Sequence, residues 1–219
     1  MTTLSIDDWA DHVWYVSYGS NMWATRLACY LEGGTPPGGD RANPGARDQT
    51  PPVRSTAIDL PGTLYFAGRS AQWGGGVAFY DHLSAGFTAA RAYLVTAQQF
   101  ADVAAQEMRR EPVDRDPLAD VVLSPLPDGR HRAGPGVYET LVDVGSLDGR
   151  PLLTFTAPHS AHETEHTDPS DAYLAAMAAG LQESRDWTDA QIDDYLTTRA
   201  PDVSRGRGRG DRPQSRGAR

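Results

Sequence analysis

The strongest constraint on the fold is the junction where the apolar run Val13-Trp14-Tyr15-Val16 stops in Tyr18-Gly19-Ser20-Asn21. Consecutive β-branched and aromatic residues read as a buried strand, and small and amide residues end it. Glycine has no side chain to block approach, so such a strand end can turn its backbone N–H groups toward a bound anion or carbonyl. Gly, Ser and Asn are also the commonest turn formers, and taken alone the tetrapeptide reads as an ordinary turn. The rest of the chain must decide between the two.

Further along, strand material recurs between glycines. It runs through Gly62-Thr-Leu-Tyr-Phe-Ala, Trp73-Gly-Gly-Gly-Val-Ala-Phe-Tyr and residues 89–95. Gly136-Val-Tyr-Glu-Thr-Leu-Val and Arg150-Pro-Leu-Leu-Thr-Phe-Thr read as a hairpin turning at Ser146-Leu-Asp-Gly. The triple glycine at 74–76 marks a bend or a close backbone approach. Helices are expected at residues 23–31, from Asp168-Pro169 onward with Tyr173, Met177 and Leu181 on one face, and after Thr188. Two polar stretches interrupt this α+β pattern. Residues 32–52 are dense in Gly and Pro, a length of loop that in a compact domain marks a functional segment such as a lid, or disorder. Residues 109–135 form a second insertion.

The clearest helix spans residues 96–111, opened by the capping box Thr96-x-x-Gln99 and ended before Pro112. Phe100, Val103 and Ala104 share one face, and Glu107 continues the same stripe. A carboxylate pointing at the core, close to the negative end of the helix dipole, is penalised twice in its ionised form. Unless something pairs or uses it, burial costs several kcal/mol, which makes Glu107 a candidate general base. The competing structural reading pairs Glu107 with Arg109 or Arg110.

The 219-residue chain with 39% apolar residues can bury one full core. A single globular domain is expected over residues 1–203, followed by an Arg/Gly-rich tail over 204–219 that cannot bury enough surface to order itself. That tail holds six arginines against one aspartate, so the net charge of −9 leaves −14 on the remainder. An acidic body repels nucleic acid and anionic membranes, and the tail, the one segment able to bind RNA nonspecifically, is expected to be a solvated extension instead. No lysine occurs anywhere, which excludes Schiff-base chemistry on lysine and a P-loop. The beginning of the sequence lacks a basic stretch followed by an apolar core, no run is long enough to span a membrane, and the single cysteine, Cys29, forms no internal disulfide. A cytoplasmic location is expected.

One motif competes for the chemistry. His162-Glu163-Thr164-Glu165-His166 matches H-E-x-x-H, with Glu183 downstream as a possible third zinc ligand. A zinc hydrolase needs both histidines on one helix face. The segment ahead of the motif lacks an apolar stripe and Asp168-Pro169 starts the next helix, so a polar connector is expected instead.

Taken in order, Tyr15-Val16-Ser17-Tyr18-Gly19-Ser20-Asn21, Trp73-Gly-Gly-Gly-Val-Ala, a helix ending in Gln106-Glu107, Gly136-Val137-Tyr138 and Asp168-Pro-Ser-Asp-Ala-Tyr173 resemble the γ-glutamylcyclotransferase family. The resemblance runs over about residues 13–196 and rests on order and spacing. It implies a small mixed β-barrel with flanking helices, acting without metal or cofactor on a small γ-glutamyl amine or γ-glutamyl amino acid. It further implies that the loop from Tyr15 to Ser20, with Asn21 after it, lines the substrate pocket, that Glu107 accepts the proton, and that Tyr173 binds substrate; Tyr173, with Tyr138, would fix the substrate's α-carboxylate or orient Glu107. A noncatalytic binding module on the same fold is the alternative. The two insertions leave the leaving amine undefined, and oligomeric state is not legible.

Overall fold

The computed structural model describes residues 10–199, so the expected tail and the boundary at 203 lie outside the described residues. Its centre is β1 (His12–Ser17), paired antiparallel with β5 (Phe87–Thr96) and parallel with β8 (Arg150–Thr156). Flanked on both edges, this strand also buries both faces, which is why its sequence runs apolar rather than alternating. Trp14 and Val16 pack into one cluster and Val13 and Tyr15 into another. Trp14 is buried, and its indole N–H donates to the Leu147 carbonyl at 3.0 Å.

The first cluster is completed by α4 (Asp171–Arg185) and α5 (Asp189–Thr197), the second by α1 (Ala24–Leu31), α2 (Ala97–Glu107) and the short α3 (Pro117–Val121). The expected capping boxes at Thr96 and Thr188 are both formed. Tyr173, Met177 and Leu181 face the core from α4 as expected, although the cap is Ser170 rather than Asp168. The helix carrying Glu107 stops at that residue, four short of the expected end, and Arg109 takes a positive φ of 57°.

Three further strands complete the main sheet. In order it runs β2 (Arg54–Pro61), β5, β1, β8, β7 (Thr140–Leu147) and β6 (Arg130–Arg132). Strand β2 was not expected. It is an edge strand, mostly exposed, and shows neither an apolar run nor a clean alternation. The hairpin of β7 and β8 forms as expected, but Gly136-Val137-Tyr138 precedes the strand instead of belonging to it. The Gly74-Gly75-Gly76 run is the turn before β4 (Val77–Asp81), packed against the backbone of residues 167–170.

The expected barrel is realised as an open sheet with a separate hairpin of β3 (Thr63–Ala67) and β4. The chain bends from β2 into β3 at Gly62, whose φ is +110° and where a Cβ would lie 2.6 Å from the Asp81 carbonyl. Only glycine fits that bend. Side-chain hydroxyls, rather than a strand, satisfy the other edge of β4. Thr156 accepts from the Tyr80 N–H at 2.9 Å and donates to its carbonyl at 2.8 Å, while Tyr173 and Tyr138 serve Ala78 in the same manner. With those groups paired, no backbone ladder is needed for closure. A cavity opens where the ladder is missing.

Candidate active site

The C-terminal end of β1 delivers the loop identified in the sequence. Beyond Ser17 the Tyr18 hydroxyl donates to the Phe155 carbonyl at 2.8 Å, fixing the exit of the loop against β8. Ser20–Met22 then form a single 3-10 turn, with the Met22 N–H bonded to the Gly19 carbonyl at 3.0 Å. No backbone acceptor among the described residues takes the N–H groups of Gly19 or Asn21. Gly19 is glycine for want of space, since a Cβ there would lie 2.8 Å from the Tyr173 hydroxyl oxygen.

Helix α2 places Glu107 opposite that loop. The Asn21 side-chain amide donates to Glu107 Oε1 at 2.9 Å and to the Tyr15 hydroxyl at 3.0 Å. A carboxylate only accepts, so the amide nitrogen must be the atom facing it. That leaves Asn21 Oδ1 buried without a partner among the described residues. Neither expected alternative partner pairs with Glu107 among the described residues, as Arg110 pairs with Glu139 and no ion pair joins Glu107 to Arg109.

Four tyrosines surround the carboxylate. Burial first, and the Glu107 charge in addition, raise the hydroxyls of Tyr15, Tyr30, Tyr138 and Tyr173, that of Tyr173 to about 12. Near neutral pH all four are therefore neutral hydroxyls. Tyr15, Val16, Ser17, Tyr18, Gly19, Ser20, Asn21, Glu107, Tyr138 and Tyr173 all line one cavity of about 540 Å³.

The Gly/Pro-rich stretch supplies another wall. Arg47 grips Asp102 of α2 through its backbone N–H at 2.9 Å and its guanidinium at 2.8 Å, and the Gln99 side chain donates to the Thr50 carbonyl at 2.8 Å. Asn43 is thereby held at the cavity, within 3.1 Å of Arg26. Sequence reasoning passed over Arg26. The available signal was its place on α1 one turn before Tyr30 and next to Leu27, on the buried face of an amphipathic helix. Arg26 is 4% exposed, donates to the Tyr30 hydroxyl at 2.7 Å, and stacks its guanidinium over the Tyr30 ring at 4.1 Å.

The H-E-x-x-H segment takes no part in this cavity. Residues 162–166 form turns and an isolated bridge rather than a helix, so the geometry that a zinc hydrolase site requires is not formed. His166 bonds the Ala161 carbonyl at 2.9 Å and Glu163 the Ser160 N–H at 2.8 Å. Among the described residues no group of three or more His, Cys, Asp and Glu is arranged to hold a metal ion. No described helix is long and apolar enough to cross a membrane.

The open mixed sheet with its separate hairpin is a fold that solved structures share. An uncharacterized protein from Homo sapiens superposes with a TM-score of 0.52 at 13% identity, over 90% of this chain and 93% of that one. A γ-glutamyl cyclotransferase superposes with a TM-score of 0.51 at 14% identity, over 90% of this chain and 92% of that one. The chain has the γ-glutamylcyclotransferase-like fold. In sequence it is 33% identical over 199 residues to Histone deacetylase 5 of Arabidopsis thaliana, the match covering 83% of this chain. It spans only about 30% of the length of that relative. No protein-family profile matches the chain.

Proposed function

We propose that this protein is a γ-glutamylcyclotransferase-like enzyme that releases 5-oxoproline from a small γ-glutamyl compound. The observation that carries the reading is the Glu107 carboxylate, held by Asn21 at 2.9 Å and sharing one cavity with the Gly19–Asn21 backbone. In this reaction the substrate's α-amine attacks its own γ-carbonyl. A C–N bond closes the lactam as the bond to the leaving amine breaks. The two protons given up by the α-ammonium end on the leaving amine, and Glu107 is positioned to relay them. The unpartnered Asn21 Oδ1 is suited to accept from the same ammonium.

Negative charge develops on the γ-carbonyl oxygen during the attack. The Gly19 and Asn21 N–H groups, without backbone acceptors, are suited to receive it, a kind of contact whose loss costs about 3 kcal/mol elsewhere. Tyr138 and Tyr173 would fix the substrate, and intramolecularity supplies much of the acceleration once the bent conformer is held. The test is a panel of γ-glutamyl amino acids and γ-glutamyl amines with 5-oxoproline detected, run beside thermal shift. Turnover of any member supports the enzyme. Stabilisation by ligands with no 5-oxoproline would instead establish a noncatalytic binding module.

A further inference from the structure

We infer that Arg26 is a carboxylate-binding residue of this cavity and holds the α-carboxylate of the glutamyl unit. The inference rests on the reading of Glu107 as acceptor of the α-amine proton, and adds the group that reads the other half of the amino-acid head.

Arg26 carries a permanent charge at 4% exposure, yet no carboxylate pairs with it among the described residues. Arg47, Arg91, Arg110 and Arg185 pair with Asp102, Glu183, Glu139 and Asp59 respectively. The partners of Arg26 are instead neutral, namely Asn43 Oδ1 at 3.1 Å and the Tyr30 hydroxyl at 2.7 Å, with the Trp73 ring 5.8 Å away. Its Nε has no partner among the described residues. A buried cation held only by neutral groups is costly, and an arriving carboxylate removes that cost. Planar guanidinium and carboxylate match as a fork, which makes arginine suited to this ligand.

Placement selects which carboxylate. Arg26, Tyr30 and Glu107 line the same cavity, and the Tyr30 hydroxyl accepts from Arg26 at 2.7 Å. An anion and a cation on the wall of one cavity fit an ammonium and a carboxylate borne on one carbon. The α-ammonium then meets Glu107 and Asn21 Oδ1, and the α-carboxylate meets Arg26.

The experiment uses the full chain with γ-L-glutamyl-L-alanine and two analogues, one with the glutamyl α-carboxylate and one with the alanine carboxylate replaced by a carboxamide. Wild type should lose about 10- to 100-fold in kcat/KM on the first analogue, the worth of a charged hydrogen bond, and little on the second. Arg26→Gln should lose a similar factor on the parent and nothing further on the first analogue. Should Arg26→Gln misfold, the wild-type analogue pair and Arg26→Lys, which keeps charge without the fork, carry the same test. Equal turnover of the parent and the glutamyl carboxamide by wild type overturns the inference, as does an Arg26→Gln loss that follows the alanine carboxylate. A wild type that releases no 5-oxoproline from the parent counts against the enzyme reading separately. The subsite is then judged by calorimetric binding of 5-oxoproline against its carboxamide, where weaker binding of the carboxamide supports it and equal binding overturns it.

Discussion

Gly19→Ala tests the loop and the tyrosine opposite it in a single substitution. Gly19 has φ −113° and ψ −148°, so alanine meets no left-handed strain there and the outcome is decided by space. The new methyl would sit 2.8 Å from the Tyr173 oxygen, inside any ordinary contact. Tyr173 is packed between Phe66 and Trp73, and its oxygen accepts from the Ala78 N–H at 3.2 Å. A retreat of about 0.4 Å carries that bond past useful length and leaves a buried N–H unsatisfied, at about 1–3 kcal/mol. For a domain of this size the melting temperature should fall by roughly 2–12 °C.

The second half of the cycle removes the obstacle. In a Tyr173→Phe background the nearest neighbours of the added methyl become Ala78 Cβ at 3.5 Å and the ring carbon at 4.0 Å, both ordinary contacts. The Ala78 N–H has already lost its acceptor in that background, so Gly19→Ala should cost less than about 0.5 kcal/mol. Urea denaturation of the four proteins measures the coupling. Equal costs in the two backgrounds would refute the steric argument and the shared wall it describes.

Three further outcomes follow from the same structure. Arg47→Met strands the fully buried Asp102 carboxylate and should cost about 3 kcal/mol, with limited proteolysis shifting to residues 32–52; unchanged proteolysis would mean that the stretch is held by other contacts. Burial alone would raise the Asp81 carboxyl, but donors from Ala161, Ser84 and Leu83 outweigh it and hold it below its usual value. Its contribution to stability is therefore full above about pH 4 and is lost as pH falls toward the lower folded value, so the gap between wild type and Asp81→Asn in urea should close on acidification, and a constant gap would contradict this. Trp14→Ala should cost about 3–5 kcal/mol by denaturation, given its burial on the central strand, and a loss under about 1 kcal/mol would show that strand to be peripheral.

The parts of the site that local pattern encodes were legible. Glu107 continues a helical stripe after a capping box, and Tyr173 shares a face with Met177 and Leu181, because both follow from helical period alone. The strand end at Gly19 was legible for the same local reason. Edge strand β2 was not, since Arg54–Pro61 is mostly solvent-facing and leaves no apolar signature. Closure was misjudged because the hydroxyls of Thr156, Tyr138 and Tyr173 occupy the edge of β4, and pairing across 60 to 95 residues leaves no mark on either partner's local sequence. Arg26 was missed for a related reason. Its neutral surroundings come from Asn43 and Trp73, which the chain brings together only on folding.

Glu107 carries the proposed chemistry, and a single comparison reaches it directly. Wild type and Glu107→Gln, matched in melting temperature, are assayed for 5-oxoproline on the best γ-glutamyl substrate of the panel. The amide keeps the size of the carboxylate but cannot accept the proton, so kcat should fall by at least about 100-fold while the fold is retained. A folded Glu107→Gln that turns over within a few fold of wild type would contradict the assignment of the base.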